Sequence, residues 1–154
     1  MKRILALFSA LCLLSAASAA LDAKPAEPLH ISHGQEVQLA DYLVRGKTVV
    51  FDFTSKYCPP CRAYDEPLKE LHAKRDDVVV IKVDINRPET KRIDWQSPVA
   101  RQFELQSIPH FKVYSPEGKL VAEDKVVVTN GQYDRRASSS AGRELVDGWI
   151  AKLE

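Results

Sequence analysis

The amino-acid sequence predicts an α/β domain with a mixed central sheet flanked by helices. Three observations carry this expectation. Thr48-Val49-Val50-Phe51-Asp52-Phe53 and Val78-Val79-Val80-Ile81 with Val83 are β-branched and aromatic runs of strand length, apolar enough for central strands. Between them Tyr64, Leu68 and Leu71 recur at helical spacing, with His72 and Arg75 closing the pattern. A short helix, a hairpin and an apolar-faced helix then follow, and strands alternating with helices in this order stack into a layered sheet.

Lys2 and Arg3 precede an apolar run over 4–14 broken only by Ser9, and small residues dominate 15–20. That order predicts a secretory signal peptide over 1–19, with Ala17-Ser18-Ala19 matching the small-x-small cleavage rule. The run is too short to span a bilayer comfortably. Cys12 follows large Leu11 and reads as an apolar residue of this leader. Residues 20–34, with Pro25, Pro28 and scattered charges, predict a flexible lead-in, and 35–154 a single domain. Within the domain, 36–39 predicts a short strand and 41–44 a helical turn stopped by Gly46. Asp76-Asp77 separates the first long helix from the second strand. The polar segment 86–97 predicts an irregular insert and 98–103 a short helix. Residues 110–114 predict a strand, Pro116-Glu117-Gly118-Lys119 a hairpin turn, and 120–128 the returning strand. A polar, mobile loop is expected over 129–140. Leu145, Val146, Trp149, Ile150 and Leu153 share one face of a closing helix, with Ser138 to Ser140 as cap candidates.

Composition excludes more than it selects. The 22 basic and 21 acidic residues nearly balance, and the leader takes two of the basic ones. Neither a basic field for nucleic acid nor an acidic tract is present. About 135 residues remain beyond the leader, enough for one core.

Cysteine usage is sharper. Of three cysteines, Cys12 leaves with the leader, so Cys58 and Cys61 remain. An exported chain meets oxidising surroundings, where a structural disulfide is the ordinary reading. A bridge across two residues constrains the unfolded chain little, which favours reactive chemistry. Cys58 stands where a buried strand ends and a helix begins. Unpaired N–H groups and the positive helix end there stabilise a thiolate, the nucleophilic form. Pro59 occupies a first-turn position that tolerates proline. Cys61, one turn on, reaches Cys58 but faces inward. Cys58 is therefore assigned as the attacking thiol and Cys61 as the resolving one. Metal sites also use this spacing, so a copper or zinc module built from Cys58, Cys61 and His110 stands as the alternative.

Asp52 interrupts an apolar strand. A carboxylate there is costly unless it has a partner or a task, although alternation also lets it face solvent. Lys82 interrupts the second strand in the same way, and a lone strand lysine is usually solvated.

Together, Phe51-Asp52-Phe53, Cys58-Pro59-Pro60-Cys61, Lys82 and Ser107-Ile108-Pro109 resemble the thioredoxin family, over about 36–153. The resemblance implies a thioredoxin-like fold. It implies that Asp52 lies buried beneath Cys61, exchanges that cysteine's proton and pairs with Lys82. It also implies a cis Pro109 packed against the cysteine pair, where substrate adds as an extended strand along Tyr57, Pro59, Pro60, Ile108 and Pro109. No cofactor beyond the redox-active disulfide is implied, and no metal. The partners expected are protein thiols or disulfides and an upstream electron-donor protein. Ile108 before the proline and the absence of histidine within the motif resemble reducing members. The expected activity is reduction of disulfides in exported proteins, in a bacterial periplasm or outside the cell. No stable membrane insertion is expected once the leader is gone.

Departures from the family pattern bear on specificity. Thr54 stands where members usually carry tryptophan, Pro67 falls one residue late, no glycine matches near Val128 and Thr129, and the 86–97 insert is long. Trp95 either supplies the apolar cover missing at Thr54 or packs the insert onto the body. His110 either tunes the thiolate or is an ordinary strand histidine.

Overall fold

The chain was analysed as a computed structural model that describes residues 21–153. The signal-peptide reading of 1–19 lies outside them. Six strands form the main sheet: β1 (Leu29–Ile31), β2 (Thr48–Thr54), β3 (Val78–Asp84), β4 (His110–Tyr114), β5 (Leu120–Lys125) and β8 (Ser139–Ser140). Their order is β1-β3-β2-β4-β5-β8, and β6 (Val128–Thr129) pairs separately with β7 (Gln132–Tyr133). β1, β3 and β2 run parallel, while β4, β5 and β8 are antiparallel to their neighbours. The expected mixed sheet is therefore present.

Alternation along β2 and β3 builds two cores. Val49, Phe51, Phe53, Val79, Ile81 and Val83 face one side, where Val99 and Ala100 of α3 (Pro98–Gln102) cover them. Val50, Val78 and Val80 face the other, under Leu68 and Leu71 of α2 (Asp65–Lys74) and Val146 of α4 (Ala141–Ile150). Each fully buried side chain of this size contributes roughly 1.5–3 kcal/mol. A one-residue slip would exchange the two faces, so burial fixes the register. That register sets Asp52 opposite Lys82.

Several elements differ from expectation. Residues 21–34 are not a flexible lead-in. β1 pairs with β3, Leu21 N–H donates to Leu43 O at 2.8 Å, and Lys24 Nζ donates to Arg75 O at 2.8 Å. His72 locks the segment further: Nδ1 accepts from Val80 N–H at 3.0 Å and Nε2 meets Pro25 O at 2.9 Å. Burial keeps that ring's pKa below the usual histidine value, in accord with an accepting nitrogen. These anchors are backbone and side-chain hydrogen bonds, which leave no apolar period to read.

No strand forms over 36–39. The Gln102 amide instead brackets Val37, accepting its N–H and donating to its carbonyl, each at 2.9 Å. One side chain thus replaces a ladder partner, and a 3-10 turn follows at Leu39–Tyr42. The long helix is interrupted rather than kinked. α1 (Pro59–Arg62) ends, α2 restarts at Asp65, and Pro67 falls in its first turn, where a missing N–H is harmless. β5 stops at Lys125, short of the expected 128. The expected mobile loop instead contains the β6–β7 hairpin, turned by Asn130 and Gly131 with φ of 53° and 76°, and then β8. An Asn-Gly pair favours that left-handed turn. At α4, Ser139 Oγ accepts from Ala141 N–H at 3.2 Å, whereas Ser140 Oγ bonds Glu144. Among the described residues no helix is long and apolar enough to cross a membrane.

Candidate active site

β2 ends in a tight turn that delivers Cys58. Ser55 Oγ donates to Asn86 Oδ1 at 2.5 Å and accepts from Tyr57 N–H, and Cys58 N–H donates to Ser55 O at 3.0 Å. Cys58 then caps α1. Pro59 and Pro60 supply no N–H, so the first amide of the helix able to donate is that of Cys61. It points at Cys58 Sγ, 3.2 Å away. The two cysteines form a disulfide.

The segment before β4 closes over this sulfur. The Ile108–Pro109 bond is cis, as the resemblance implies, and Ile108 O lies 3.8 Å from Cys58 Sγ. Arg143 Nη2 donates to Pro109 O at 2.8 Å, and the Arg143 backbone N–H donates to Asp124 Oδ1 at 2.9 Å. Asp124 Oδ2 accepts from Phe111 N–H at 3.0 Å, so one buried carboxylate joins β4, β5 and α4. Gly142 permits the approach, because a Cβ there would stand 2.6 Å from Phe111 O.

One expectation needs correction. Cys58 was expected to be the exposed sulfur and Cys61 the buried one, yet they are 1% and 0% exposed. The Ile108–Pro109 segment covers Cys58, so exposure does not separate them. What separates them is polarity: Cys58 Sγ faces the Cys61 N–H and the Ile108 carbonyl.

Asp52 is buried, and neither carboxylate oxygen has a hydrogen-bond partner among the described residues. Lys82 is buried too, not solvated, and its Nζ lies 3.7 Å from Asp52 Oδ2. Its hydrogen bond goes instead to Asp65, at the half-exposed start of α2. Burial raises the Asp52 carboxyl to about 7; Lys82 opposes the rise and Asp65 adds to it. Lys82 and Asp65 line a cleft of about 130 Å³ with His30, Lys56, Arg62 and Asp84. Asp65 was missed in the sequence, although it falls only four residues after Cys61. Arg143 was missed as well, and nothing local marks it.

His110 lies on the Phe53 side of the sheet, its ring edge-on to Phe53 at 5.5 Å and its Nε2 unbonded. Burial, then Lys112, pushes its pKa down to about 4. Among the described residues no three histidine, cysteine or acidic side chains are gathered as metal ligands. Trp95 lines a cleft with Tyr57, while Thr54 lines the one that holds Lys82 and Asp65. The insert packs onto the body through Ile93 and buried Asp94, while Trp95 stays exposed.

Comparisons with known proteins agree with this geometry. The thioredoxin family model matches residues 33–136. A thioredoxin H-type of Brassica campestris is 41% identical over 81 residues, covering 53% of this chain and 57% of its own. The chloroplastic thioredoxin F1 of Arabidopsis thaliana is 34% identical over 88 residues, covering 57% and 43%. The chain thus spans about half the length of the curated relatives it matches. The long form of thioredoxin F from spinach chloroplast is similar in fold. It has a TM-score of 0.50 at 19% identity and covers 84% of this chain and 88% of that one.

Proposed function

Because this chain belongs to the thioredoxin family, we propose that it is a thiol–disulfide oxidoreductase that reduces disulfides of exported proteins. The observation that carries the reading is Cys58 Sγ held between the Cys61 N–H and Ile108 O, in a disulfide with Cys61. In the reduced chain that N–H stabilises a Cys58 thiolate. The thiolate attacks the target disulfide; a Cys58–target bond forms and the other target sulfur leaves as thiolate. Cys61 then gives its proton to Asp52 and attacks Cys58 Sγ. The Cys58–Cys61 bond forms, the second target sulfur leaves, and both leaving thiolates take protons from water. Two electrons pass from the dithiol to the target, and an upstream thiol protein must restore them.

An unbonded, buried carboxyl near pH 7 is suited to that exchange, since a base works best with its pKa close to the working pH. Lys82 tunes Asp52. Substrate adds as an extended segment along Ile108 and Pro109, with Tyr57, Pro59 and Pro60 at its edges. The leader over 1–19 supports export to a bacterial periplasm or beyond the cell.

The test is the reduction potential of the pair together with two variants. A value about −270 mV supports a reductant, and one about −120 mV reverses the direction. Cys58→Ser should abolish insulin disulfide reduction, while Cys61→Ser should accumulate mixed disulfides. Mixed disulfides on Cys61 in the Cys58→Ser chain, with none on Cys58 in the Cys61→Ser chain, would exchange the two roles.

A further inference from the structure

The insert between β3 and α3 is a pinned loop. Asp94 is buried and accepts from Arg87 Nε at 2.6 Å, Arg87 Nη2 at 3.0 Å and Thr90 Oγ1 at 3.1 Å. Asn86 ties the loop to the cysteine turn: its Oδ1 accepts from Ser55 Oγ, and its Nδ2 donates to Arg92 O, both at 2.5 Å. Ile93 packs into the core. With the backbone so held, Lys91, Arg92, Trp95 and Gln96 all remain exposed, Trp95 at 38%.

These four side chains and Tyr57 line a cleft of about 670 Å³ beside the cysteine turn. Its charge is one-sided. Asp94, the acidic residue that lines it, is already claimed by Arg87, while Lys91 and Arg92 have no ion pair among the described residues. Glu89 lies 3.9 Å from Arg87 and does not line the cleft. Lys56, 5.2 Å over the Tyr57 ring, lines the neighbouring cleft with Asp65 and Asp84 instead. An indole on a preorganised loop loses little further freedom when covered, so such a surface is suited to association. Aromatic side chains beside unpaired cations match a partner that is apolar and acidic.

We propose that this cleft docks the segment flanking a target disulfide, with an apolar or aromatic side chain against Trp95 and Tyr57 and acidic side chains against Lys91 and Arg92. It is separate from the strip along Ile108 and Pro109, which lines another cleft with Arg143. Only the identity of the partner as a disulfide substrate rests on the dithiol reading; the docking itself needs no electron transfer.

The experiment compares two peptides that share one intramolecular disulfide, flanked in one by Phe-Asp-Glu and in the other by Ser-Asn-Gln. Single-turnover reduction by the full chain should favour the acidic peptide at least about tenfold at low ionic strength, with the ratio falling as salt screens the cations. In K91E/R92E the ratio should fall to one or below, and in Trp95→Ala by about threefold; the charge variant serves if the tryptophan variant folds poorly. A serine analogue of the acidic peptide, lacking both cysteines, provides the second readout. The chain has two tryptophans, so in a Trp149→Phe background Trp95 fluorescence reports binding alone. A wild-type ratio near one, or a ratio that K91E/R92E leaves unchanged, overturns the docking cleft. If neither peptide is reduced while the serine analogue binds and K91E/R92E releases it, the cleft stands and the reductase reading falls.

Discussion

Asp52 in β2 and Asp94 in the insert are both withdrawn from solvent, 0% and 4% exposed, yet they hold their protons at opposite ends of the scale. Arg87 grips Asp94 with two N–H groups and Thr90 adds a third donor, which keeps its carboxyl at about 2. Asp52 receives no hydrogen bond, and burial drives it to about 7. Burial alone therefore does not decide what a carboxylate does. Depth and donors decide it together: Asp94 is covered close to the surface and held by donors that stabilise its charged form, whereas Asp52 lies deep in the core, where desolvation penalises that form. Asp94 is a permanently ionised clamp, whereas Asp52 is left free to change its protonation.

The largest expected effect tests the clamp. Asp94→Asn removes the charge that Arg87 grips, leaving that half-exposed guanidinium only Glu89 at 3.9 Å, and should lower the urea midpoint more than any other substitution proposed here. Proteolysis within 86–97 should accelerate before cleavage elsewhere. An unchanged midpoint would show that the insert is held by something other than this pair.

Asp52→Asn should do the reverse for stability while slowing chemistry. The resolving step, measured by single turnover at pH 7, should slow about 100-fold, as expected for a lost general base. Lys82 keeps Asp65 as its partner, so the substitution strands no cation. The sign of the pH effect follows from proton binding. The folded chain holds the Asp52 proton to about pH 7, but the unfolded chain releases it near 3.8, so this residue's contribution declines as pH rises between those values. His110 acts oppositely: its pKa falls from 6.5 to about 4 on folding, so its contribution is lost as pH drops through that window. In wild type the two slopes offset each other. In Asp52→Asn the midpoint should rise with pH from about 4 to 6.5, and a flat profile would refute the assignment.

The smallest effect sharpens the comparison. Asp65→Asn removes a negative charge that raises Asp52 and frees Lys82 to turn toward it. Both changes make Asp52 more acidic. The acid limb of the resolution profile should move to lower pH, and its plateau should fall about threefold, as for a weakened base. An unmoved limb would mean that Lys82 does not choose between the two carboxylates.

The reach of sequence reasoning can be seen in the same residues. β2 and β3 were legible as continuous apolar runs buried on both faces, and α4 as an apolar face recurring every 3.6 residues. Asp52 and Lys82 were legible as interruptions, but their pairing depends on the parallel register of two strands. Asp65, Asp124 and Arg143 act across elements distant in the chain, where no local pattern points. β1 is three residues long and held by backbone bonds, so its polar surroundings read as slack chain. Asn130-Gly131 did carry a turn signal, but the strands it joins are two residues each and exposed, and they lack the apolar alternation that would have named them. The burial of Cys58 was unreadable for a related reason, since its cover comes from a segment fifty residues on.

The two prolines between the cysteines have a spectroscopic consequence. Residues without an amide proton give no cross-peak in a proton–nitrogen correlation spectrum, so positions 59 and 60 are silent. The Cys61 amide, 3.2 Å from Cys58 Sγ, is the backbone signal whose N–H points at the reacting sulfur. Its proton chemical shift will follow whether that sulfur is bonded, protonated or anionic. A single resonance can therefore titrate the nucleophile directly, without a label at the site and without replacing either cysteine.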